Sequence, residues 1–205
     1  MKRIEIKQNS SNNFIGIWKL ENDDIFKKII DFFNTNHAEH RPGVLPNGEL
    51  DKSQKDLIEL SITPKLIKEN KLEFFKEYIN NLVNCYNDYQ DQWDFVKSWN
   101  RIYIGPFKIE KQLQSGHHKG FNCERQNINS SHKILSWITF LNDLEEGEGM
   151  LDFKYLNLSI KPEKGTTLIF PPDWTHLHRE NIVKGSEKFI LRGSFHFPDI
   201  IDIES

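Results

Sequence analysis

A histidine and a lysine near the C-terminus have the residue types and spacing of a metal site beside an anion site. His178 and Lys188 lie ten residues apart, and each adjoins an apolar segment of the kind that forms a strand. An imidazole at the end of one strand can bind a divalent ion. A lysine on the next strand can neutralise a carboxylate that reaches the same ion. The pair therefore predicts that a metal ion and an anionic ligand bind side by side.

The other metal ligands are expected from an upstream segment, GHHKGFNCER. Asn122 and Glu124 are two positions apart there and so project from one face of an extended chain. A histidine at position 122 would complete a triad of two histidines and one carboxylate, but an asparagine amide is a poorer ligand for Fe(II). His118 is not expected to replace it, because six residues of extended chain span about 20 Å unless the strand folds back. For the downstream ligand, His176 is the alternative to His178.

Composition predicts one folded domain and excludes several classes of partner. The chain has 205 residues, of which 37% are hydrophobic and 12% aromatic, enough for a substantial single core. A net charge of −3 gives no general attraction to nucleic acid or anionic lipid. Two cysteines are too few for a disulfide framework, and no apolar signal segment or membrane span is present in the sequence. We therefore predict a cytoplasmic protein with reduced thiols and no membrane or nucleic-acid partner.

The order of the predicted elements is helices first and strands afterwards. Apolar spacing predicts an amphipathic helix over 23–36 and a second long helix from Pro64 to about Gln92, separated by a polar loop that begins at His37. After Trp99 short apolar runs predict strands over 101–113, 133–141, 156–162, 166–170 and 189–197. This order favours helices packed on the outside of a β-sandwich.

Three motifs in this C-terminal half, taken in order, resemble a known family. SWITFLNDLEEGEG, SIKPEKGTTLIFPPDWTHLHREN and KGSEKFILRGSF, within about 102–197, are similar to the small prolyl-4-hydroxylase-like members of the 2-oxoglutarate/Fe(II) dioxygenases, including phage and bacterial ones. The resemblance implies an α+β, mainly β, fold: a double-stranded β-helix, or jelly roll, flanked by N-terminal helices. It implies a single domain over 1–205, with helical support and a variable loop in 1–98 and the catalytic jelly roll in 99–200.

The resemblance also implies roles for single residues. Asn122, Glu124 and His178 match the iron-binding positions, Lys188 matches the anchor of the far carboxylate of 2-oxoglutarate, and Gln112 and Arg192 match further cosubstrate positions. The implied cofactors are Fe(II), 2-oxoglutarate and O2, with ascorbate as a further candidate. The implied reaction couples oxidative decarboxylation of 2-oxoglutarate to hydroxylation of a small-molecule or peptidyl substrate, whose choice the loop at 37–62 would influence.

Three departures from the family pattern leave the function open between alternatives. Relatives have histidine in place of Asn122, tend to have tyrosine in place of Gln112, and often have a small hydroxyl residue in place of Arg192. The arginine either strengthens carboxylate binding or obstructs it. We favour a 2-oxoglutarate-dependent dioxygenase with one altered iron ligand. The alternatives are a degenerate, non-catalytic jelly-roll binding protein and a cupin-like metal-binding protein.

Overall fold

The structure, a computed structural model, describes residues 1–5, 13–45, 47–99 and 101–198. Its helices are α1 (Asp23–Thr35), α2 (Pro64–Glu69), α3 (Glu73–Gln92) and α4 (Asp94–Lys97). Its strands are β1 (Lys2–Arg3), β2 (Gly16–Lys19), β3 (Arg41–Pro42), β4 (Lys55–Asp56), β5 (Ile58–Ile62), β6 (Tyr103–Ile104), β7 (Phe107–Gln112), β8 (His117–Asn122), β9 (Lys133–Phe140), β10 (Leu151–Phe153), β11 (Leu158–Ile160), β12 (Thr166–Phe170), β13 (His178–Glu180) and β14 (Lys188–His196). Short 3-10 turns cover His37–Glu39, Ile128–Ser130 and Trp174–His176.

The strands form two antiparallel sheets. The major sheet has the order β1-β2-β12-β9-β14-β7-β5-β3, with β6 also paired to β14. The minor sheet has the order β11-β10-β13-β8-β4. Alternate residues of the central strands point to opposite faces of the major sheet, and both faces are covered.

Local sequence explains where the helices begin and which face they bury. The Asn22 side chain accepts a hydrogen bond from the backbone N–H of Ile25, which caps α1, and two aspartates follow in the first turn. Thr63 caps α2 in the same way, and Pro64 occupies the first helical position. The buried residues of α3 recur at helical spacing: Phe75, Tyr78, Leu82, Cys85, Tyr86 and Tyr89.

The two faces of the major sheet carry two separate hydrophobic clusters. The larger cluster lies between the helices and the sheet and includes Trp18, Phe75 and Trp137. The smaller cluster lies between the sheets and joins Ile138 and Phe140 of β9 to Leu151 and Phe153 of β10 and to Leu168, Phe170 and Ile190. The molecule is thus a layer of helices on a two-sheet sandwich, as the order of the predicted elements indicates.

Several predicted boundaries are wrong. The helix predicted from Pro64 to Gln92 is two helices, because Lys71 adopts a left-handed backbone (φ 51°) and ends the first. The segment predicted as a variable loop contains β5, which pairs with β7 in the major sheet. The N-terminal support region also contributes β2, which pairs with β12. In the region assigned to the jelly roll, Asn100 and residues 199–200 lie outside the described residues.

Candidate functional site

A polar cleft of about 380 Å³ opens between the two sheets, beside the smaller hydrophobic cluster. Its walls carry basic, acidic, amide and imidazole side chains: Lys55, Lys108, Glu110, His118, Asn122, Glu124, Gln126, Asn127, His132, Lys133, Arg192 and His196. Cys123 also lines the cleft; it is buried, and its Sγ donates a weak hydrogen bond to the Arg125 carbonyl oxygen at 3.7 Å. Four charged groups of this lining, Glu110, Glu124, Lys133 and Arg192, form one connected set with the buried residues Glu180 and Lys188.

Strand register brings the members of this set together. In the major sheet Lys188 of β14 stands opposite Gln112 of β7, and Arg192 lies four residues further along β14, on the same face. In the minor sheet His178 of β13 stands opposite Asn122 of β8. All of these side chains point into the space between the sheets, where water is largely excluded.

Arg192 is the centre of the set. Its Nη2 contacts Glu180 Oε1, its Nη1 lies 3.2 Å from His178 Nε2 and 3.5 Å from Glu124 Oε1, and its Nε lies 3.3 Å from Glu110 Oε2. The guanidinium therefore lies between the two predicted ligands His178 and Glu124. It is only 8% exposed.

Lys188 already has a carboxylate partner from the chain itself. Its Nζ donates to Glu180 Oε2 at 2.5 Å and to the Gly149 carbonyl oxygen at 2.7 Å. The same carboxylate oxygen accepts a hydrogen bond from Gln112 Nε2 at 2.6 Å. Lys188, Glu180 and Gln112 are each 1% exposed, so this ion pair is fully buried.

The amide of Asn122 directs its nitrogen toward the centre of the minor sheet. Nδ2 donates to the carbonyl oxygens of Gly120 (3.0 Å) and His178 (3.2 Å), and it lies 3.2 Å from His118 Nε2. Carbonyl oxygens only accept hydrogen bonds, so the orientation of the amide follows from its partners. The sequence led us to expect His118 about 20 Å from Glu124, and the contact seen here joins His118 to Asn122, not to Glu124.

The ring of His178 has a defined tautomer. Nδ1 lies 3.0 Å from the His176 carbonyl oxygen and must donate to it, which leaves Nε2 as an acceptor for the Arg192 guanidinium. His176 instead directs its own Nε2 to the Asn13 carbonyl oxygen at 2.8 Å. Of the two histidines considered from the sequence, the structure places His178 at the charged set.

Burial and neighbouring charges lower the pKa values of the imidazoles and carboxylates at this site. Burial and the positive charge of Arg192 lower the pKa of His178 to about 4 and that of His118 to about 3. Burial alone would raise the pKa of Glu124, but Arg192 and Lys133 hold it at about 2. Burial likewise opposes ionisation of Glu180, yet Lys188 and Arg192 keep its pKa below the usual range. At neutral pH the carboxylates are charged and the imidazoles are neutral.

The set balances its own charge. Glu110, Glu124 and Glu180 supply three negative charges, and Lys188, Arg192 and Lys133, whose Nζ lies 3.1 Å from Glu124 Oε2, supply three positive ones. Below, these six residues are called the charge network. Five of the six predicted site residues belong to it or contact it, and Asn122 lies beside it, bonded to the His178 carbonyl oxygen. Glu110, Glu180 and Lys133 are additions that the sequence analysis missed. Glu110 and Glu180 are each two positions from a predicted residue on the same strand, Gln112 and His178, and that spacing was the available signal.

The residues present do not fit a bound iron ion or a bound 2-oxoglutarate. Arg192 places a positive charge between His178 and Glu124, and Asn122 offers an amide, a poorer ligand for Fe(II) than imidazole. The buried amine of Lys188 is neutralised by Glu180. Within the described residues, no three or more His, Cys, Asp or Glu side chains form a group that could hold a metal ion. The site therefore does not support a reaction step on iron or on 2-oxoglutarate.

Comparisons with known proteins identify the fold. No family model and no curated protein matches the sequence. Among solved structures, the viral collagen prolyl hydroxylase of Paramecium bursaria Chlorella virus-1 in its 2OG complex is 14% identical with a TM-score of 0.67, over 90% of this chain and 97% of that one. A Pseudomonas putida prolyl-4-hydroxylase is 13% identical with a TM-score of 0.69, over 90% and 94%. A Burkholderia pseudomallei oxidoreductase of the 2OG-Fe(II) oxygenase family is 14% identical with a TM-score of 0.53, over 83% and 78%.

These likenesses confirm the predicted jelly-roll fold with flanking helices. The chain has the fold of prolyl hydroxylases and of a 2OG-Fe(II) oxygenase, and at these identities that is what the likeness establishes. None of the helices in the described parts of the chain is both long and apolar enough to cross a membrane.

Proposed function

We propose that this chain is a non-catalytic ligand-binding protein built on the fold of the 2-oxoglutarate oxygenases. The observation that carries the proposal is the position of Arg192, whose guanidinium contacts His178, Glu124 and Glu180 at once. A divalent cation at the same place would meet a full positive charge within a few ångströms, in a medium that screens charge poorly. From the sequence alone, a non-catalytic binding protein was an alternative to the dioxygenase. The charge network now favours it.

Three independent features of the chain support the same conclusion. The amide nitrogen of Asn122 donates to two backbone carbonyl oxygens, so this residue can offer a metal only its amide oxygen, a poorer ligand than imidazole. Lys188 is ion-paired within the fold, so an incoming carboxylate would have to displace Glu180. The charge network is neutral without any added ion, and a new charge would leave it unbalanced in a buried site.

The cleft itself extends beyond the charge network. Its walls there offer an ammonium from Lys108, amides from Gln126 and Asn127, and imidazoles from His132 and His196. A Trichoplax adhaerens prolyl hydroxylase of the same fold, 11% identical with a TM-score of 0.69, is in complex with a hypoxia inducible factor peptide fragment. We propose that a peptidyl ligand lies in this cleft and is bound without being oxidised.

An anaerobic titration tests the absence of iron chemistry directly. Fe(II) and 2-oxoglutarate are added to the protein while the visible spectrum is followed for a charge-transfer band, and consumption of 2-oxoglutarate is then measured in air. We expect no band and no consumption. We expect the same of Asn122→His, which supplies an imidazole but leaves Arg192 in place. A band in the parent protein would contradict the proposal.

The second candidate function is the 2-oxoglutarate-dependent hydroxylase predicted from the sequence. One observation favours it: His178 and Glu124 converge on a single point, the Arg192 guanidinium, as two ligands of one ion would. This function requires Arg192 and Glu180 to leave their partners when iron and cosubstrate enter. The same titration decides between the two candidates, because only the hydroxylase gives the band.

A further inference from the structure

The outer face of the minor sheet, turned away from the cleft, carries basic and aromatic side chains. Along β8, Lys119 and Phe121 alternate with the cleft residues His118 and Asn122 and so point outward. Arg179 of β13 points outward in the same way and pairs there with Asp152 of β10. Four residues from the segments after β10, β12 and β13 complete this surface, which is called the basic-aromatic face: Lys154, Tyr155, Trp174 and Lys184.

The cations and rings of the basic-aromatic face contact one another in a continuous row. The Arg179 guanidinium lies 4.7 Å from the centre of the Phe121 ring. Lys154 Nζ lies 5.4 Å from the centre of the same ring and 5.6 Å from that of Tyr155. The Tyr155 and Trp174 rings meet nearly at right angles, with their centres 6.4 Å apart. Cation–π attraction therefore holds positive charges and aromatic rings side by side on one surface.

The chain neutralises the positive charge of this face only in part. Three ammonium groups of the face have no carboxylate partner among the described residues: those of Lys119, Lys154 and Lys184. Arg179 donates from Nε to Asp152 Oδ2 at 3.3 Å, which leaves both of its terminal nitrogens without an acceptor in the described part of the chain. Glu148 also contacts the face, but its carboxylate accepts backbone N–H groups at Lys184 and Gly185. Four cations therefore face two carboxylates, and the surface is locally positive.

A depression of about 370 Å³ lies at the Arg179 end of the row. Its lining contains three cations and an amide: Lys119, Arg179, Lys184 and Asn181, with Gly147 and Ile182 between them. Arginine and lysine side chains are the usual partners of phosphate oxygens. A concave surface lined by charges of one sign also raises the local concentration of the opposite charge. The depression therefore suits a phosphate group.

The other end of the row presents two exposed aromatic rings. Tyr155 is 57% exposed and Trp174 is 69% exposed, and neither belongs to either hydrophobic cluster. Trp174 lies in a 3-10 turn whose first N–H groups are capped by the Asp173 side chain, so the ring is presented by ordered backbone. An exposed ring beside positive charge offers a surface on which a nucleobase stacks.

We propose that the basic-aromatic face binds single-stranded nucleic acid, with a phosphate group in the depression and bases on Tyr155 and Trp174. An acidic peptide would use the cations but has no flat rings to place on the aromatic side chains. The net charge of −3, from which no nucleic-acid partner was expected, is an average over the chain and does not describe this face. The site is separate from the cleft, because no residue of the basic-aromatic face lines it.

Fluorescence anisotropy with a labelled oligothymidylate of about 12 nucleotides, a length within known site sizes, tests the inference on the full chain. We expect a Kd on the order of 10 µM near physiological salt. Log K should fall with log salt with a slope of about −2 to −3, the value for three or four phosphate contacts to a single strand. Polyphosphate of similar charge has no bases and should bind at least about ten-fold more weakly.

Single substitutions distinguish stacking from charge. Trp174→Ala should weaken binding at least about five-fold and leave the salt slope unchanged, whereas Trp174→Phe keeps a ring and should retain most of the affinity. Lys184→Ala should lower the magnitude of the slope by about 0.7. The controls are Phe95→Ala, which removes a ring 76% exposed on α4, and Lys28→Ala, which removes an exposed charge of α1. Neither control should change binding, and all of these positions are exposed, so the variants should fold as the parent does.

Three results would overturn the inference. They are a Kd weaker than about 1 mM for the oligonucleotide, equal binding of polyphosphate, and a loss of affinity in Phe95→Ala as large as in Trp174→Ala. Preferential binding of polyglutamate or of phosphatidylserine vesicles would overturn it as well, because the face would then serve a protein or a membrane. The titration with Fe(II) and 2-oxoglutarate reports on the cleft alone, so this inference and the proposed function can each fail without the other.

Discussion

Lys188 shows how much one residue of the charge network depends on its partner. Its ammonium is 1% exposed and has two contacts, the Glu180 carboxylate and the Gly149 carbonyl oxygen. Burial lowers the pKa of Lys188, and the Glu180 carboxylate counteracts this shift. Neither partner can be exchanged for water without opening the sandwich.

Substitution of Lys188 by methionine should therefore destabilise the fold strongly. The aliphatic stem is kept, but Glu180 loses a buried counter-charge, and such losses cost about 3–5 kcal/mol. Urea denaturation measures the change. Lys111→Met is the control, since Lys111 pairs with the half-exposed Glu187 and should lose no more than about 1 kcal/mol. Equal losses in the two variants would mean that the Lys188 pair contributes no more than a surface contact.

Two of the buried imidazoles, His118 and His178, predict how stability depends on pH. His118 (pKa about 3) and His178 (pKa about 4) stay neutral in the folded protein well below their ordinary value of 6.5, so the unfolded chain binds more protons in that interval. Stability is therefore complete above pH 6.5 and falls as the pH drops toward 4, by roughly 1 kcal/mol per pH unit for each imidazole. Urea midpoints between pH 7.5 and pH 5 measure this. His118→Gln should reduce the slope, and a flat profile in the parent would contradict the prediction.

Residue spacing in the sequence predicted part of the site, and side-chain contacts supplied the rest. The spacing of Asn122, Glu124, His178 and Lys188 correctly indicated that they lie near one another, because strands hold alternate residues on one face. It could not show that Arg192 would reach His178 and Glu124. That contact depends on the register between two sheets and on a long side chain that can point either way.

At the scale of elements, hydrophobic strands were predictable and polar strands were not. β7, β9, β12 and β14 coincide with predicted apolar runs, because both faces of the central major sheet are covered by core. β13 carries His178 and Glu180, and β8 carries His118 and Asn122, so the sequences of these two strands lack an apolar alternation. Strands β2 and β5 were missed because each lies beside a helix or in a segment rich in turn residues.

β14 depends on a glycine for its close contact with side chains of the neighbouring strands β9 and β7. A Cβ atom built on Gly193 would lie 2.4 Å from the Trp137 ring and 2.8 Å from the Phe107 Cβ. Gly193→Ala should therefore displace buried side chains and cost about 1–3 kcal/mol. Gly120→Ala in β8 is the control, because its nearest neighbour is the flexible end of Gln54 at 3.4 Å. Melting temperatures compare the two, and equal values would show that the Trp137 ring moves without cost.

At the scale of the whole molecule, buried hydroxyl groups join the helical layer to the major sheet. The Tyr78 hydroxyl of α3 lies 2.8 Å from Thr139 Oγ1 of β9, which lies 2.8 Å from Thr167 Oγ1 of β12. All three groups are buried. Trp18 Nε1 of β2 also donates to Asp88 Oδ2 of α3 at 2.9 Å, and together these hydrogen bonds fix the position of α3 on the sheet.

Tyr78→Phe should loosen this connection while leaving the core packed. Loss of the hydrogen bond is expected to cost about 1 kcal/mol and to lower the melting temperature by about 2–4 °C, with a single unfolding transition retained. Tyr86→Phe removes a hydroxyl that contacts Gln90 of the same helix and is the control with the smaller effect. Separate unfolding transitions for the helices and the sheets in Tyr78→Phe would contradict a hydrophobic cluster shared by the helical layer and the major sheet.

The reactivity of two cysteine thiols reports how often the cleft opens. Cys123 lies between Asn122 and Glu124 with its thiol buried, and burial raises its pKa, so a thiol reagent reacts only while the two sheets separate locally. Cys85 lies on the buried face of α3, where burial raises its pKa to about 12, and it becomes reactive only when the helical layer detaches. The ratio of the two labelling rates, read by mass spectrometry, separates breathing of the cleft from unfolding of the whole chain. A peptide that occupies the cleft should slow labelling of Cys123 and leave that of Cys85 unchanged.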